Sequence, residues 1–476
     1  MIDTLNINVD IRHVVSDQQA WHYHIVPKEI TDTEWTFYID VEYNNESVRE
    51  ELDLAFNRSI RLEVVDSELI KKTLSKYYRV SESENHSPKA VGNANSNDFL
   101  NSLIREAKEM HSSDIHIETY ENLCRVRFRI DGKLLEKYRL DKESYPSLVN
   151  KIKIKSNIDI AEKRLPQDGR ILFEEDNLNF DIRVSVLPTL NGEKIVLRLL
   201  SKDSTNIEIS KLGFSEEQKA LFLENIRKTH GIILISGPTG SGKTTTLYAT
   251  LKILNKTESN ILTIEDPVEY TLSGINQVQL REDIGLTFAK ALRTFLRQDP
   301  DIIMLGEIRD EETAQMAIRA ALTGHLVLST IHTNSAWGII TRLSDMGIPP
   351  FLLSDTVNLC VAQRLIRLLC PHCKEQVPFD ASQLPRTFKP VSIPKSYFKP
   401  HGCEHCYYTG YKGRKAIYEV LPIDFEMSEA IRAGKIDIES LRKEKKILSL
   451  AESAFNDFVE GATSLDEIYP ILLNSN

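Results

Sequence analysis

The stretch Gly231-Ile-Ile-Leu-Ile-Ser-Gly-Pro-Thr-Gly-Ser-Gly-Lys-Thr-Thr245 decides the fold of this chain. Its apolar run Ile232–Ile235 reads as a short buried strand, and a helical stretch follows over Lys243–Asn255. Between them Gly237-Pro-Thr-Gly-Ser-Gly-Lys-Thr244 has the strand–loop–helix context of a phosphate site. Glycines let backbone N–H groups converge on phosphates, and the helix N-terminus adds partial positive charge. The expected nucleotide-binding residues are Gly237, Pro238, Thr239, Gly240, Ser241, Gly242, Lys243, Thr244 and Thr245. Lys243 is expected to reach the β- and γ-phosphates, and the Thr244 hydroxyl to hold Mg²⁺.

Working outward, the apolar runs Ile261–Ile264, Ile302–Leu305 and Leu326–Leu328 alternate with helical stretches near Phe288–Arg297, Glu311–Leu322 and Ser335–Asp345. Buried parallel strands with crossover helices read this way, so the fold class is α/β. Three of these strands end in polar groups that should share the phosphate edge. Leu296-Arg-Gln-Asp-Pro-Asp-Ile-Ile-Met-Leu-Gly-Glu-Ile-Arg-Asp310 brings Glu307 to a strand end, where it could orient the attacking water or help hold Mg²⁺. The competing reading makes Glu307 a capping acid for the helix beginning near Asp310. Glu265, in Glu265-Asp-Pro-Val-Glu269, and His332, in Ser329-Thr-Ile-His-Thr333, end two more strands.

Further on, Cys370-Pro-His-Cys373 and Cys403-Glu-His-Cys406 form two CxxC knuckles, enough for a tetrahedral Zn²⁺ site. The 29 residues between them exceed the ordinary ribbon spacing, but Pro385, Pro390, Pro394 and Pro400 mark an extended loop. A redox pair is the alternative. His372, His401 and His405 could substitute as ligands, although four cysteines already satisfy the metal. Cys124 and Cys360 read as ordinary buried thiols.

On the N-terminal side, residues 98–200 open with a helix and continue as hairpins. Arg125, Arg127 and Arg129 alternate with Cys124, Val126, Phe128 and Ile130, and Asp131-Gly132 signals a type I′ turn. The arginine stripe reads as a solvated sheet face. Ser81–Asn97 has linker composition, and residues 201–214 link the second unit to a third at 215–476, which carries the cysteine insertion 370–406. Residues 1–80 read as a small α/β unit with a strand over 35–43 and a helix capped by Asp66. His22 and His24 are placed on one face of a strand, with no third ligand evident.

Formal charge is −10, and residues 1–90 hold 10 basic and 17 acidic groups, so most of the imbalance sits there. Such a balance argues against a nucleic-acid coat, and no nucleic-acid partner is expected. No apolar run approaches the roughly 18 residues of a membrane span, and the start MIDTLNINVD does not read as a secretory signal. With 41% hydrophobic and 27% charged residues, a soluble cytosolic protein is expected.

From about residue 92 to 470 the chain resembles the secretion ATPase superfamily, which includes type II secretion and type IV pilus assembly ATPases. Gly237–Thr244 is similar to its Walker A motif, Thr263–Glu269 to its aspartate box, Gly306-Glu307 to its atypical Walker B motif, and His325–His332 to its histidine box. Ser113-Asp-Ile-His-Ile-Glu118 and Gln167-Asp-Gly-Arg170 resemble signatures of its second N-terminal domain. The resemblance implies a RecA-like P-loop domain, preceded by an α+β PAS-like domain and a small α/β N-terminal domain. It assigns catalytic roles to Lys243, Glu307, Glu265 and His332, and implies that Arg170 and Arg183 close on the nucleotide. It also implies a homo-hexamer, peripheral at the inner membrane, working with a platform or docking protein. The cysteine insertion resembles the tetracysteine domain of assembly-type members. Residues 46–78 loosely resemble the family's partner-docking unit; only one such unit precedes the linker, which tilts toward the secretion branch. A nucleotide-gated scaffold with little hydrolysis and a zinc-ribbon nucleic-acid motor are the rival readings.

Overall fold

The computed structural model describes residues 5, 11, 14–15, 17–31, 34–44, 46–56, 59–78, 89–91, 97–175, 178–200, 208–390, 392–434 and 438–473. The chain divides into two compact units, residues 1–94 with 122–126 and 136–145, and residues 95–121, 127–135 and 146–476.

In the first unit, α1 (Asp17–His22) leads into β1 (Ile25–Ile30) and β2 (Glu34–Asp40), then α2 (Glu46–Phe56), β3 (Ser59–Val65) and α3 (Ser67–Tyr77). β1 pairs antiparallel with β2, Ile25 opposite Ile39, and β2 pairs parallel with β3, Phe37 opposite Leu62. Phe37 and Ile39, two apart and so on one face, are buried with Ile25, Leu52, Ile60, Ile70 and Leu74. The strand expected over 35–43 stops at Asp40, because the Tyr43 N–H turns back to the Asp40 carbonyl at 3.0 Å. Asp66 caps α3 as its sequence suggests, accepting from the Glu68 N–H at 2.9 Å. The two histidines do not share a strand face. His22 ends α1, whereas His24 takes φ +49° and stacks on Tyr43 at 3.7 Å.

Of the expected linker, residues 81–88 and 92–96 lie outside the described residues; β4 (Lys89–Val91) pairs parallel with Tyr138–Leu140. There follow α4 (Asn97–Glu109), β5 (Asp114–Thr119), β6 (Cys124–Ile130), β7 (Lys133–Leu140), α5 (Tyr145–Lys155), β8 (Gln167–Glu175), β9 (Leu178–Thr189) and β10 (Gly192–Leu200). In the second unit β5, β10, β9 and β8 lie side by side and antiparallel, with Ile195 between Ile117 and Val186, and Gly169 opposite Val184. The arginine stripe of β6 is not merely solvated: Arg127 forks onto the buried Glu118 through two 2.8 Å bonds. The Asp131-Gly132 turn has positive φ at both residues, +47° and +86°, as a type I′ turn requires.

Residues 201–207 lie outside the described residues, and a short 3₁₀ turn at Ile209–Lys211 precedes α6 (Glu216–Asn225). Then come β11 (Gly231–Ser236), α7 (Lys243–Leu254), β12 (Ile261–Glu265), β13 (Asn276–Gln279), α8 (Phe288–Phe295), β14 (Ile302–Leu305), α9 (Glu311–Leu322), β15 (Leu326–Ile331), α10 (Trp337–Asp345) and α11 (Pro350–Thr356). β16 (Val357–Leu369), β17 (Glu375–Pro378), β18 (Ser396–Lys399), β19 (Tyr411–Pro422), α12 (Phe425–Arg432), α13 (Ile438–Glu444), α14 (Leu450–Val459) and α15 (Leu465–Leu473) complete the described strands and α-helices. The large sheet runs β13-β12-β14-β15-β11-β16-β19, parallel throughout except for the β16–β19 pair.

Alternation along β11 explains why its run is wholly apolar. Ile232 and Leu234 join a core with α8, α9 and α14 on one face, while Ile233 and Ile235 join α6 and α7 on the other. Helices on both faces bury β11, β12, β14 and β15 throughout, and the polar strand ends are left at the carboxyl edge. The proline-marked segment is not loop throughout. β17 and β18 pair antiparallel, Glu375 opposite Lys399, which closes its neck.

Candidate functional site

The P-loop emerges from β11 between β15 and β16, since Ser236 pairs with both Ile331 and Ala362. Gly237 has φ +151°, and a Cβ there would lie 2.5 Å from the Gln363 carbonyl oxygen. Gly242, at φ +88° just before α7, would meet the Gln363 side-chain nitrogen at 2.9 Å. Both positions therefore demand glycine for space as well as for backbone angle. Gln363 is what they pack against. Its buried amide donates to the Ser241 carbonyl at 2.8 Å and accepts from the Thr246 hydroxyl at 2.9 Å. The loop's shape is thus held by one side chain of β16. Lys243 folds over the loop, donating to the carbonyls of Gly237 at 2.8 Å and Pro238 at 3.1 Å. Burial presses its pKa below the ordinary lysine value; Glu307 pulls the other way, and Arg364 adds to the lowering. Thr244 is exposed on the first turn of α7, with Thr245 beside it half-buried.

Glu307 follows β14 and His332 follows β15, and these neighbouring strands bring them together. His332 Nε2 lies 3.3 Å from one Glu307 oxygen, and Arg309 pairs with the other. Arg309 also reaches Asp266 at 3.4 Å, and its bond to Glu307 raises its pKa. Glu307 is not the helix cap: Asp310 takes that place, accepting from the Thr313 N–H at 2.8 Å. Its carboxylate is 16% exposed, open enough to meet a ligand and enclosed enough to be oriented. Glu265, at the end of β12, is only 3% exposed. It accepts from the Tyr248 hydroxyl, from Thr263 at 2.7 Å and from Gln277 at 3.1 Å. Burial and this bond push the Tyr248 hydroxyl far above its usual range, and burial lifts Tyr270 to about 12.

The two arginines expected from the resemblance part company. Arg183, on β9, donates to Glu269 at 3.1 Å and to the Val268 carbonyl at 2.8 Å, just past the end of β12. Arg170, on β8, is bound to Asp181 at 2.9 Å and is largely exposed. Of the two, Arg183 alone reaches the segment that carries Glu265.

The four cysteines converge. All Sγ atoms of Cys370, Cys373, Cys403 and Cys406 lie within 4.8 Å of one another, and three of the separations across the cluster are 3.8 Å. Sulfurs about 2.3 Å from a central Zn²⁺ stand at tetrahedral edges of about 3.8 Å. The N–H groups of Gly402, Cys403 and Gly410 point at the sulfurs at 3.2–3.3 Å, as they would to charged thiolates. None of the cysteines is in a disulfide. His372 and His405 stack on each other at 4.2 Å and lie outside the ligand group among the described residues. Cys124 and Cys360 are buried, as expected.

The comparisons with known proteins give the family. The family described as "Type II/IV secretion system protein" matches residues 89–470, most of the chain. The chain belongs to that family. It is 47% identical over 372 residues to "Type II secretion system protein E" of Aeromonas hydrophila, covering 78% of this chain and 74% of that one. It is 48% identical over 381 residues to "Type IV pilus assembly ATPase PilB" of Myxococcus xanthus, covering 78% and 66%. The solved structure of the ATPase DotB from Legionella pneumophila superposes with a TM-score of 0.59 at 22% identity, over 82% and 98%, which bears on the fold alone.

As a secretion ATPase, the chain owes its α/β ATPase fold to residues the sequence marks plainly, but its site to several it does not. Gln363 sits in an unremarkable strand, and its bonds to Ser241 and Thr246 span 122 and 117 residues, a range that no local pattern reports. Tyr248 and Gln277 escape notice for a related reason, since neither belongs to a motif. Arg309 lies within the Leu296–Asp310 stretch, and its charge two residues from Glu307 is the available signal.

Proposed function

We propose that this secretion ATPase is the cytoplasmic motor, a homo-hexamer peripheral at the inner membrane, that turns ATP hydrolysis into assembly of a pseudopilus in type II secretion. The observation that carries the reading is Glu307, set between Arg309 and His332 at the strand edge that also holds the P-loop. In this reading residues 237–245 bind the phosphates, Lys243 engages the β- and γ-groups, and Thr244 holds Mg²⁺, which would neutralise phosphate charge. Glu307 accepts a proton from, or orients, the attacking water, and His332 holds that carboxylate in place. Glu265 anchors the aspartate-box segment through Tyr248 and Gln277. Arg183 closes on that segment from a PAS-like domain of residues 98–200, and Arg170 joins it only if its Asp181 pair opens. Residues 215–476 form the RecA-like domain, and 370–406 bind a structural Zn²⁺ through Cys370, Cys373, Cys403 and Cys406.

Residues 1–80, joined through 81–97, serve as the unit that docks on a membrane platform or docking protein. No helix among the described residues is long and apolar enough to cross a membrane, so the contact is assigned to that unit. The similarity to a pilus assembly ATPase supports a second reading, in which the product is a type IV pilus. A deletion strain complemented with Glu307→Gln separates the possibilities. The variant protein should bind ATP yet hydrolyse it about a hundredfold or more slowly, and should fail to restore export. Loss of secreted proteins with intact surface pili assigns the secretion role, and the converse assigns the pilus. Normal hydrolysis by Glu307→Gln removes Glu307 from the chemistry.

A further inference from the structure

Arg364 lies on β16 next to Gln363, where that strand runs past the last paired residue of β11. Its guanidinium reaches across to the chain leaving β15. One nitrogen donates to the Asn334 side-chain oxygen at 3.1 Å and, more loosely, to the Asn334 carbonyl at 3.5 Å. The other donates to the Gln363 carbonyl at 3.1 Å. That carbonyl is the atom against which Gly237 packs, and Asn334 lies two residues beyond His332. The guanidinium is therefore pinned at both ends by backbone that builds the nucleotide edge.

All three acceptors are neutral, two carbonyls and an amide, and none is a carboxylate. A half-buried guanidinium loses hydration that neutral acceptors only partly replace, so an anion in reach would be bound strongly. The electrostatics put Arg364 within the field of Lys243. Burial lowers the pKa of Arg364, against a weaker upward pull from Glu419 on β19. Burial lowers that of Lys243 too, and Arg364 lowers it further, so the two cations share one field. The loop's own N–H groups cradle the inner phosphates. Arg364 is held to Asn334, two residues beyond the His332 that pairs with Glu307.

We propose that Arg364 is a substrate-binding residue that contacts the γ-phosphate of ATP from within the same chain, its plane fixed by Asn334. This rests on the nucleotide reading of the P-loop given above. It differs from the role given to Arg183, which comes from β9 and grips Glu269 and the Val268 carbonyl. A planar guanidinium fork holds two phosphate oxygens in a fixed geometry, whereas a lysine ammonium is a point charge on a flexible stem.

The test compares full-length Arg364→Ala, Arg364→Lys and Lys243→Ala proteins for equilibrium binding of a non-hydrolysable ATP analogue and of ADP, each with Mg²⁺. Arg364→Ala should weaken the ATP analogue about tenfold or more and ADP by less than about twofold, the size expected for a charge-assisted bond to one phosphate. Arg364→Lys should fall between. Equal weakening of both nucleotides, or no change in either, overturns the proposal and makes Arg364 a tie between β16 and the chain after β15. Should Arg364→Ala lack a cooperative thermal transition, the same ratio is read from Arg364→Lys, and a wild-type ratio there is equally fatal. Lys243→Ala should lose both ligands. If it retains both, the P-loop reading falls and takes Arg364 with it; if it loses both while the Arg364 ratio is unchanged, Arg364 falls alone.

Discussion

The nucleotide edge and the cysteine cluster solve opposite problems with different parts. At the P-loop the binding surface is mostly backbone, shaped by glycines that pack on Gln363, with Thr244 exposed and Glu307 partly open. Its charged groups arrive from three strand ends and differ in kind. At the cluster the candidate ligand atoms are four of one kind, close-set and ringed by N–H groups from Gly402, Cys403 and Gly410. A closed Cys₄ arrangement leaves no coordination position for water chemistry, so it suits a metal that stays. The open edge suits a ligand that must enter, react and leave. Binding that turns over needs mixed, adjustable contacts, whereas a structural metal needs a symmetrical cage.

The contrast breaks most visibly at Lys243. Lys243→Ala removes the charge proposed to meet the β- and γ-phosphates and should cut ATP turnover about a hundredfold or more, while the proposed Zn²⁺ and the thermal transition should be kept. Unchanged turnover in a folded Lys243→Ala protein would mean the loop binds something other than ATP. The reciprocal change is Cys403→Ser. Purified wild-type protein should hold about one Zn²⁺ per chain, and the variant should hold much less, because one of four ligands is lost. Residues 370–415 should then exchange amide hydrogens rapidly, while nucleotide affinity stays within about twofold. Metal-free protein with Cys370–Cys373 and Cys403–Cys406 found as disulfides would instead make the cluster a redox site.

The two regions are also unequally legible in the sequence. The P-loop is readable because strand, loop and helix are contiguous, and the four central strands announce themselves as apolar runs buried on both faces. β16 and β19 do not, although β16 carries Gln363 and Arg364. Val357–Leu369 mixes polar and apolar residues without period-2 alternation, since only part of it is buried on both faces. β13, Asn276–Gln279, has one apolar residue in four and depends on its pairing with β12. Spacing names the cysteine ligands, but their convergence depends on β17 and β18 pairing at the neck of a segment whose prolines suggest only loop. Sequence leaves Glu307 with two roles open, and the cap at Asp310 removes one of them. Arg170 and Arg183 look alike in sequence. Asp181, on the strand beside Arg170, is what separates them, and pairing across strands is not written in either motif.

The smallest effect tests whether the loop's shape and its charge are separable. Gln363→Leu keeps the bulk but leaves the Ser241 carbonyl without its donor and takes the acceptor from the Thr246 hydroxyl, whose remaining contacts are 3.3 Å to Tyr418 and 3.4 Å to the Gly242 carbonyl. Leaving one buried polar group unsatisfied costs about 1–3 kcal/mol, which for a domain of this size lowers the melting temperature by about 2–6 °C. If, as proposed, Ser241 belongs to the part of the loop that cradles the inner phosphates, ATP and ADP should weaken together, by a few-fold at most. That pattern is the opposite of the one expected for Arg364→Ala, which discriminates between them. Zinc content should not change, since the side-chain bonds of Gln363 go to Ser241 and Thr246 and not to a cysteine. If Gln363→Leu instead spares ADP and penalises ATP alone, the clamp and the γ-phosphate contact are one unit. The separation between a backbone cradle and the cations above it would then have to be abandoned.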